Sequence, residues 1–266
     1  MITSRKNELV KTLKALMSKS SERRRSGTYV IEGIRMFKEA PFSYMRMAVL
    51  SETFCDANRD ISERLDDSKI PYEILSDELF DYISGTVTPQ GIMAVMDSCQ
   101  AQLDDMLSVR EPFIILLEAT QDPGNLGTIL RTAEAAGVTG VIMGSGSADI
   151  TSPKVVRSTM GAVFRIPYLT TEDFCGTVSR LKDRGVRIVA TSPAATKSLF
   201  EAELSGAVGI LVGNEAAGLS KEVMSLADDR VVIPMTGNTE SLNAASAATL
   251  CMYEVFRRRI KNGCTD

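Results

Sequence analysis

The chain has 266 residues, of which 44% are hydrophobic and 24% charged, with a formal net charge of −4 and no histidine. This is the composition of a globular protein of one large or two medium domains. It argues against a general polyanion-coating module and excludes every mechanism that needs an imidazole as base, relay or metal ligand. The five cysteines (Cys55, Cys99, Cys175, Cys251 and Cys264) are odd in number, scattered and free of any CxxC spacing, so neither a disulfide framework nor a metal site is expected. No apolar run approaches the roughly 20 residues of a membrane span, and the charged amino end lacks a signal-peptide core, which makes the cytoplasm the expected compartment.

Residues 5–19 place Leu9, Leu13 and Leu16 on one side and Lys6, Lys11 and Lys14 on the other, predicting a basic amphipathic helix. Residues 20–27 read as a loop around Arg23, Arg24 and Arg25. A strand over 29–31 then leads into a helix over 34–40. Further strands are predicted over 47–50, 72–75 and 92–95, with helical segments between them. This alternation gives a small α/β domain over residues 1–99, followed by a polar linker over 100–110 and a second domain over 111–266. A basic helix and an arginine-rich loop ahead of a neutral to acidic body suit binding of a phosphate backbone, although charge alone fits a solvated face equally well. A second basic cluster, Arg257-Arg258-Arg259-Ile260-Lys261, reads as RNA-facing or as cations stabilising a helix carboxyl end.

In the second domain, the apolar run 113–117 reads as a strand buried on both faces. The turn-rich segment 118–125 and a helix over 126–136 follow it, with Asn125 in the position of a cap. Gly127 and Arg131, four apart, share a helix face. An arginine there favours a ligand or phosphate contact over a structural ion pair. The strand over 138–143 runs into Gly144-Ser-Gly146, which lacks the third glycine and the later acid of a dinucleotide fingerprint. Lys154 and Arg157 lie on a short predicted helix. After a helix over 173–184 and a strand over 186–190 come the strand 208–212 and the loop Gly213-Asn-Glu215-Ala-Ala-Gly218. Gly213 there permits close approach of a ligand to the backbone. The last such loop follows the strand Val231-Val232-Ile233 and feeds a helix near Ser241 that is rich in small residues. Three strand ends, each followed by a polar, glycine-containing loop and a helix, form the kind of edge at which open α/β sheets bind ligands.

The segments Asn125-x-Gly127-x-x-x-Arg131, Gly213-x-Glu215-x-x-Gly218 and Ile233-Pro234-Met235…Ser241-Leu242-Asn243 resemble the three motifs of the SpoU (TrmH-type) RNA ribose 2′-O-methyltransferases. Lys154-Val-Val-Arg157-Ser-Thr-Met-Gly161 is similar to a further segment of that family. Tyr29-Val-Ile-Glu32-Gly33 and Pro89-Gln90-Gly91 resemble an L30e-like substrate-binding domain. The resemblance covers nearly the whole chain. It implies an α/β fold with a mostly parallel carboxy-terminal sheet, flanked by helices and tied in a deep trefoil knot, which spacing alone does not show.

The function it implies is methyl transfer from S-adenosylmethionine to a ribose 2′-hydroxyl of 23S ribosomal RNA. The resemblance assigns Arg131, Asn125, Glu215, Ser241 and Asn243 to catalysis, with Arg131 as an electrostatic clamp because a guanidinium does not readily give up its proton. It assigns Thr191, Ser192, Leu211, Gly213, Gly218, Ile233, Met235 and Leu242 to the cofactor, and the amino-terminal domain to RNA. Arg23, Arg24, Arg25, Lys154 and Arg157 are the candidate RNA contacts, and no metal is implied. A homodimer is expected, since the last helix carries Leu250, Tyr253, Val255 and Phe256 beyond what one sheet face needs. The alternatives are a tRNA ribose methyltransferase, a non-catalytic RNA-binding assembly factor, and a nicotinamide-dependent oxidoreductase built on Gly144 and Gly146.

Overall fold

A computed structural model describes residues 1–261, so Cys264 lies outside the described residues. In chain order the amino-terminal elements are α1 (Glu8–Ser18), α2 (Ser20–Ser26), β1 (Thr28–Glu32), α3 (Ile34–Glu39), β2 (Met45–Ser51), α4 (Glu52–Ala57), α5 (Arg59–Asp67), β3 (Tyr72–Leu75), α6 (Asp77–Ile83) and β4 (Ile92–Asp97). There follow α7 (Leu103–Met106), β5 (Phe113–Leu117), α8 (Pro123–Ala135), β6 (Gly140–Gly144), α9 (Pro153–Ser158), β7 (Tyr168–Thr171) and α10 (Phe174–Asp183). The chain ends with β8 (Arg187–Thr191), β9 (Lys197–Ser198), β10 (Val208–Val212), α11 (Lys221–Ser225), β11 (Asp229–Val232) and α12 (Ala244–Lys261).

The chain forms two compact units, Met1–Cys99 with Asp149–Phe164, and Gln100–Ala148 with Arg165 onward. Residues 149–164, expected within the carboxy-terminal domain, therefore cluster with the amino-terminal unit. That unit holds a four-stranded sheet in the order β1-β4-β2-β3, antiparallel except for the parallel β2–β3 pair. Helix α1 is capped by Asn7 and buries Val10, Leu13 and Leu16 against it; Leu9, expected inward, is only half-buried. Residues 20–26, expected as a loop, form α2, which Gly27 ends with a left-handed φ of 64°.

Arg23, expected to face RNA from that loop, departs from the expectation too. It is buried, donating from Nη1 to the Leu16 carbonyl (2.6 Å) and from Nε and Nη2 to the Asp149 carboxylate (3.0 and 2.7 Å). A second pair of charges joins residues 149–164 to the same unit. Glu32, also buried, accepts from the Ser84 hydroxyl, the Thr86 hydroxyl (2.7 Å) and the Gly85 N–H (3.2 Å), and lies 3.8 Å from the Arg157 guanidinium.

The second unit is a seven-stranded sheet in the order β7-β6-β5-β10-β8-β11-β9, with every neighbouring pair parallel. Strands β5, β6 and β10 are buried along their whole length, as strands covered on both faces must be. Residues 100–110 are part of this unit and not a free linker. The Ala101 N–H donates to the Tyr168 carbonyl (2.9 Å), the Gln100 side chain accepts from Thr170 N–H (2.8 Å), and Met106 is buried in the core.

In the second basic cluster Arg258 and Arg259 are taken up by packing, while Arg257 and Lys261 are exposed. Arg257 and Arg258 pair with the buried Glu254, while Arg258 reaches the carbonyls of Phe200 and Ala202. Arg259 donates to the Pro112 and Gly206 carbonyls. Val255, expected on an outer face of the last helix, is core, which leaves Leu250, Tyr253 and Ile260 exposed. Among the described residues no helix is long and apolar enough to cross a membrane.

Candidate active site

Because the large sheet is wholly parallel, the loops after β5, β8, β10 and β11 leave from one edge. The chain reverses its direction of winding there: β5 leads outward to β6 and β7, and β10 returns between β5 and β8. Such a switch point leaves a crevice beyond the strand ends.

The loops at this edge are fastened to one another by amides and by two carboxylates: Glu118, which accepts from the Ser220 N–H (2.8 Å), and Glu215. Helix α8 starts at Pro123, and its cap is Asp122, which accepts from the Asn125 N–H. Asn125, expected as the cap, sits one turn in with its side chain free for other work. Its Nδ2 donates to Glu215 Oε1 (2.9 Å), and its Oδ1 accepts from Asn243 Nδ2 (3.0 Å). Asn243 caps α12 in turn, accepting from the N–H groups of Ala245 and Ser246 (2.9 and 3.2 Å). Helix α12 thus begins at Ala244, later than the expected Ser241, which lies exposed ahead of the cap.

Glu215 also accepts from the N–H groups of Gln121 and Asp122 (3.3 and 3.4 Å). Burial pushes its carboxyl upward, but the Asn125 amide and the backbone N–H donors outweigh that and hold it below the ordinary carboxylate value. The ionised Glu215 therefore links the β10 loop to the β5 loop, and Asn125 carries the link to the start of α12.

Gly213 and Gly218 shape the β10 loop. Asn214 and Gly218 exchange backbone hydrogen bonds (3.0 and 2.9 Å), and Gly218 takes a left-handed φ of 69°. A Cβ at Gly213 would lie 2.3 Å from the Gly218 carbonyl carbon and 2.4 Å from Leu219 N. The close approach that requires a glycine here is made by the chain itself, where a ligand was expected.

A cavity of about 480 Å³ opens among these loops. Of the residues expected to hold a cofactor, Thr191, Ser192, Gly213, Gly218, Ile233, Met235 and Leu242 line it. Leu211 does not: its side chain is fully buried in the sheet core, and it meets the site only as a carbonyl accepting from Thr191 Oγ1 (3.0 Å). Ser241 and Glu215 line the cavity as well. Among the lining residues that sequence reasoning missed are Asn214, Ala216, Ala217 and Glu240, all standing between the fixed positions of a motif, which is the signal that could have found them. Among the described residues, Glu215 and Glu240 are the charged members of the lining, with no lysine or arginine beside them.

Arg131 lies one helical turn beyond the buried Gly127 on α8, the helix that packs against α12. It is exposed and makes no hydrogen bond or ion pair among the described residues. Arg24 and Lys154 are likewise exposed and unpaired among the described residues, whereas Arg25 pairs with Glu22 at 2.6 Å. Arg23 is buried in its pairing with Asp149 and offers nothing to RNA, and Arg157 is turned toward Glu32. No group of three or more potential metal ligands occurs among the described residues.

The site and the fold can be set beside known proteins. Residues 112–253 match the SpoU rRNA Methylase family model, and residues 7–94 match the MRM3-like substrate binding domain. The chain is 34% identical over 257 residues to the 23S rRNA (guanosine(2553)-2′-O)-methyltransferase RlmP of Bacillus subtilis (strain 168), covering 96% of this chain and 98% of that one. It is 32% identical over 270 residues to the 23S rRNA (uridine(2479)-2′-O)-methyltransferase of Streptomyces viridochromogenes, covering 97% and 92%. The crystal structure of the SpoU methyltransferase AviRb from Streptomyces viridochromogenes in complex with the cofactor AdoMet superposes with a TM-score of 0.87 at 29% identity, over 96% of this chain and 99% of that one. With a parallel sheet, three motif loops meeting at its carboxyl edge and relatives matched along almost their whole length, the chain belongs to the SpoU rRNA methylase family.

Proposed function

We propose that the protein transfers a methyl group from S-adenosylmethionine to a ribose 2′-hydroxyl of 23S ribosomal RNA. The observation that carries this reading is the cavity at the carboxyl edge, with Arg131 exposed on the neighbouring helix. Its volume of about 480 Å³ lies in the range of small-molecule sites. The lining fits the cofactor chemically: Met235 and Leu242, each 36% exposed, offer apolar surface, the glycines offer backbone groups, and the charged lining residues among those described are carboxylates, which suit a cationic ligand.

When bound, S-adenosylmethionine would supply a methyl group on a positively charged sulfur; the 2′-oxygen would take the methyl in line, the sulfur would keep the bonding electrons, and the hydroxyl proton would pass to solvent. Arg131, a permanently charged guanidinium, acts as an electrostatic clamp on the alkoxide developing at that oxygen or on the adjacent phosphate. Glu215, Asn125 and Asn243 hold the three loops in register, so the reacting groups meet in one geometry. Ser241 lines the same cavity and orients ribose or cofactor. Arg24, Arg25 and Lys154 supply phosphate contacts.

The same reading includes the trefoil knot, action in the cytoplasm, and a homodimer formed through the exposed Leu250, Tyr253 and Ile260 of α12. Light scattering at micromolar concentration tests the dimer, and a fully active monomer would overturn it. The activity is tested by incubating the protein with methyl-labelled S-adenosylmethionine and either ribosomal RNA or tRNA. Label should enter 23S RNA as an alkali-resistant ribose methylation. Label confined to tRNA, or absent from both, would overturn the reading.

A further inference from the structure

The cavity's two carboxylates are not equivalent. Glu215 is committed to Asn125 and to two backbone N–H groups, and its charge is already answered by those donors. Glu240, on the segment between β11 and α12, lines the same cavity, is exposed, and makes no hydrogen bond or ion pair among the described residues. Among the described residues no lysine or arginine lines the cavity to compensate it. A carboxylate at the wall of a small-molecule site, with no partner among the described residues, biases that site toward a positively charged occupant.

From this we infer that Glu240 is the residue by which the protein tells its charged methyl donor from the spent product. The inference rests on S-adenosylmethionine being the cofactor. That donor carries a sulfonium, an ammonium and a carboxylate. The product left after transfer, S-adenosylhomocysteine, keeps the ammonium and the carboxylate but has a neutral thioether sulfur. A carboxylate placed beside the sulfur would attract the donor before transfer and lose its partner afterward. It favours loading and eases release without touching the reacting oxygen. Glu240 is thus a specificity-determining residue and not a catalytic one.

Calorimetric titration of the full chain with each of the two compounds, for the wild type and Glu240→Gln, tests this. The exposed setting limits the effect to that of a solvent-screened ion pair, about threefold to fivefold in affinity. Glu240→Gln should weaken S-adenosylmethionine by that factor and leave S-adenosylhomocysteine within about twofold. Added salt should erode the wild-type preference for the donor and leave the variant's nearly flat.

Equal weakening of both compounds would place the carboxylate on the ammonium they share and overturn the inference, as would an unchanged donor affinity. A wild type that bound neither compound would instead overturn the cofactor reading on which this rests. Because Glu240 is exposed, the variant is expected to fold, and an unchanged circular dichroism spectrum verifies it.

Discussion

Two regions of the molecule hold charge in opposite ways. In the amino-terminal unit Arg23 and Glu32 are buried, and their polar atoms are taken up by the chain: Asp149 and the Leu16 carbonyl for the arginine, Ser84, Gly85 and Thr86 for the glutamate. In the second unit, Arg131 on α8 and Glu240 at the cavity wall are exposed and have no partner among the described residues. Removing a charge from water costs several kcal/mol unless partners replace the water, so a buried arginine is fully engaged by its own protein. A charge left in solvent keeps its hydration until a ligand displaces it. Arginines that look alike in sequence therefore split into one kind that holds the fold and another that remains available to substrate.

The strongest way to break this distinction is at its two arginines. Arg131→Ala should lower methyl transfer by about two to three orders of magnitude, the usual loss when a donor to a developing oxyanion is removed, while cofactor affinity and unfolding midpoint stay near wild type. An equal fall in cofactor binding by a folded variant would place Arg131 in the wrong role. Arg23→Ala should act the other way, destabilising the protein by about 3 kcal/mol because Asp149 is left half-buried without its cation. Denaturant unfolding measures it, and an unchanged midpoint would erase the contrast between the two arginines.

A smaller effect separates cations within the amino-terminal unit. Replacing Arg24 and Lys154 with alanine should weaken RNA binding across sequences and reduce the salt slope by about one for each phosphate no longer neutralised, with stability unaffected. An unchanged slope would return both residues to a merely solvated face.

The smallest effect is that of pH on Glu215. Its carboxyl is held below the ordinary value of 4.5, so its contribution to loop order is complete above that value and is lost as pH falls through the lower, folded one. Cofactor affinity should be level from about pH 8 to about pH 5 as far as Glu215 is concerned, and Glu215→Gln should remove its share of any decline below that. A Glu215-dependent fall already between about pH 7 and pH 6 would mean that burial outweighs the donors.

Much of this is legible in the chain itself. Local pattern places β5, β10 and α10 because a strand buried on both faces must be continuously apolar and an amphipathic helix must repeat near 3.6 residues. The three loops are legible because glycines and amides at strand ends have few other uses. Seven of the eight residues expected at the cofactor line the cavity; the exception, Leu211, belongs to a strand whose side chains face the core on both sides. Residues 20–27 escape local pattern because an arginine run offers no apolar period to mark a helix, and α2 is held by a pairing with Asp149, 126 residues away from Arg23.

What the sequence alone determined is the inventory: a parallel α/β scaffold, no imidazole chemistry, and three polar loops carrying Asn125, Glu215 and Asn243. What only the tertiary structure decided is how each polar group is employed. Asn125 surrendered the cap to Asp122 and became the link between Glu215 and Asn243, and Arg23 and Arg258 were absorbed while Arg131 was not. The physical reason is that a charge or an amide has the same local propensity wherever it stands. Its role is set by the partners and the water that remain once distant segments have packed around it.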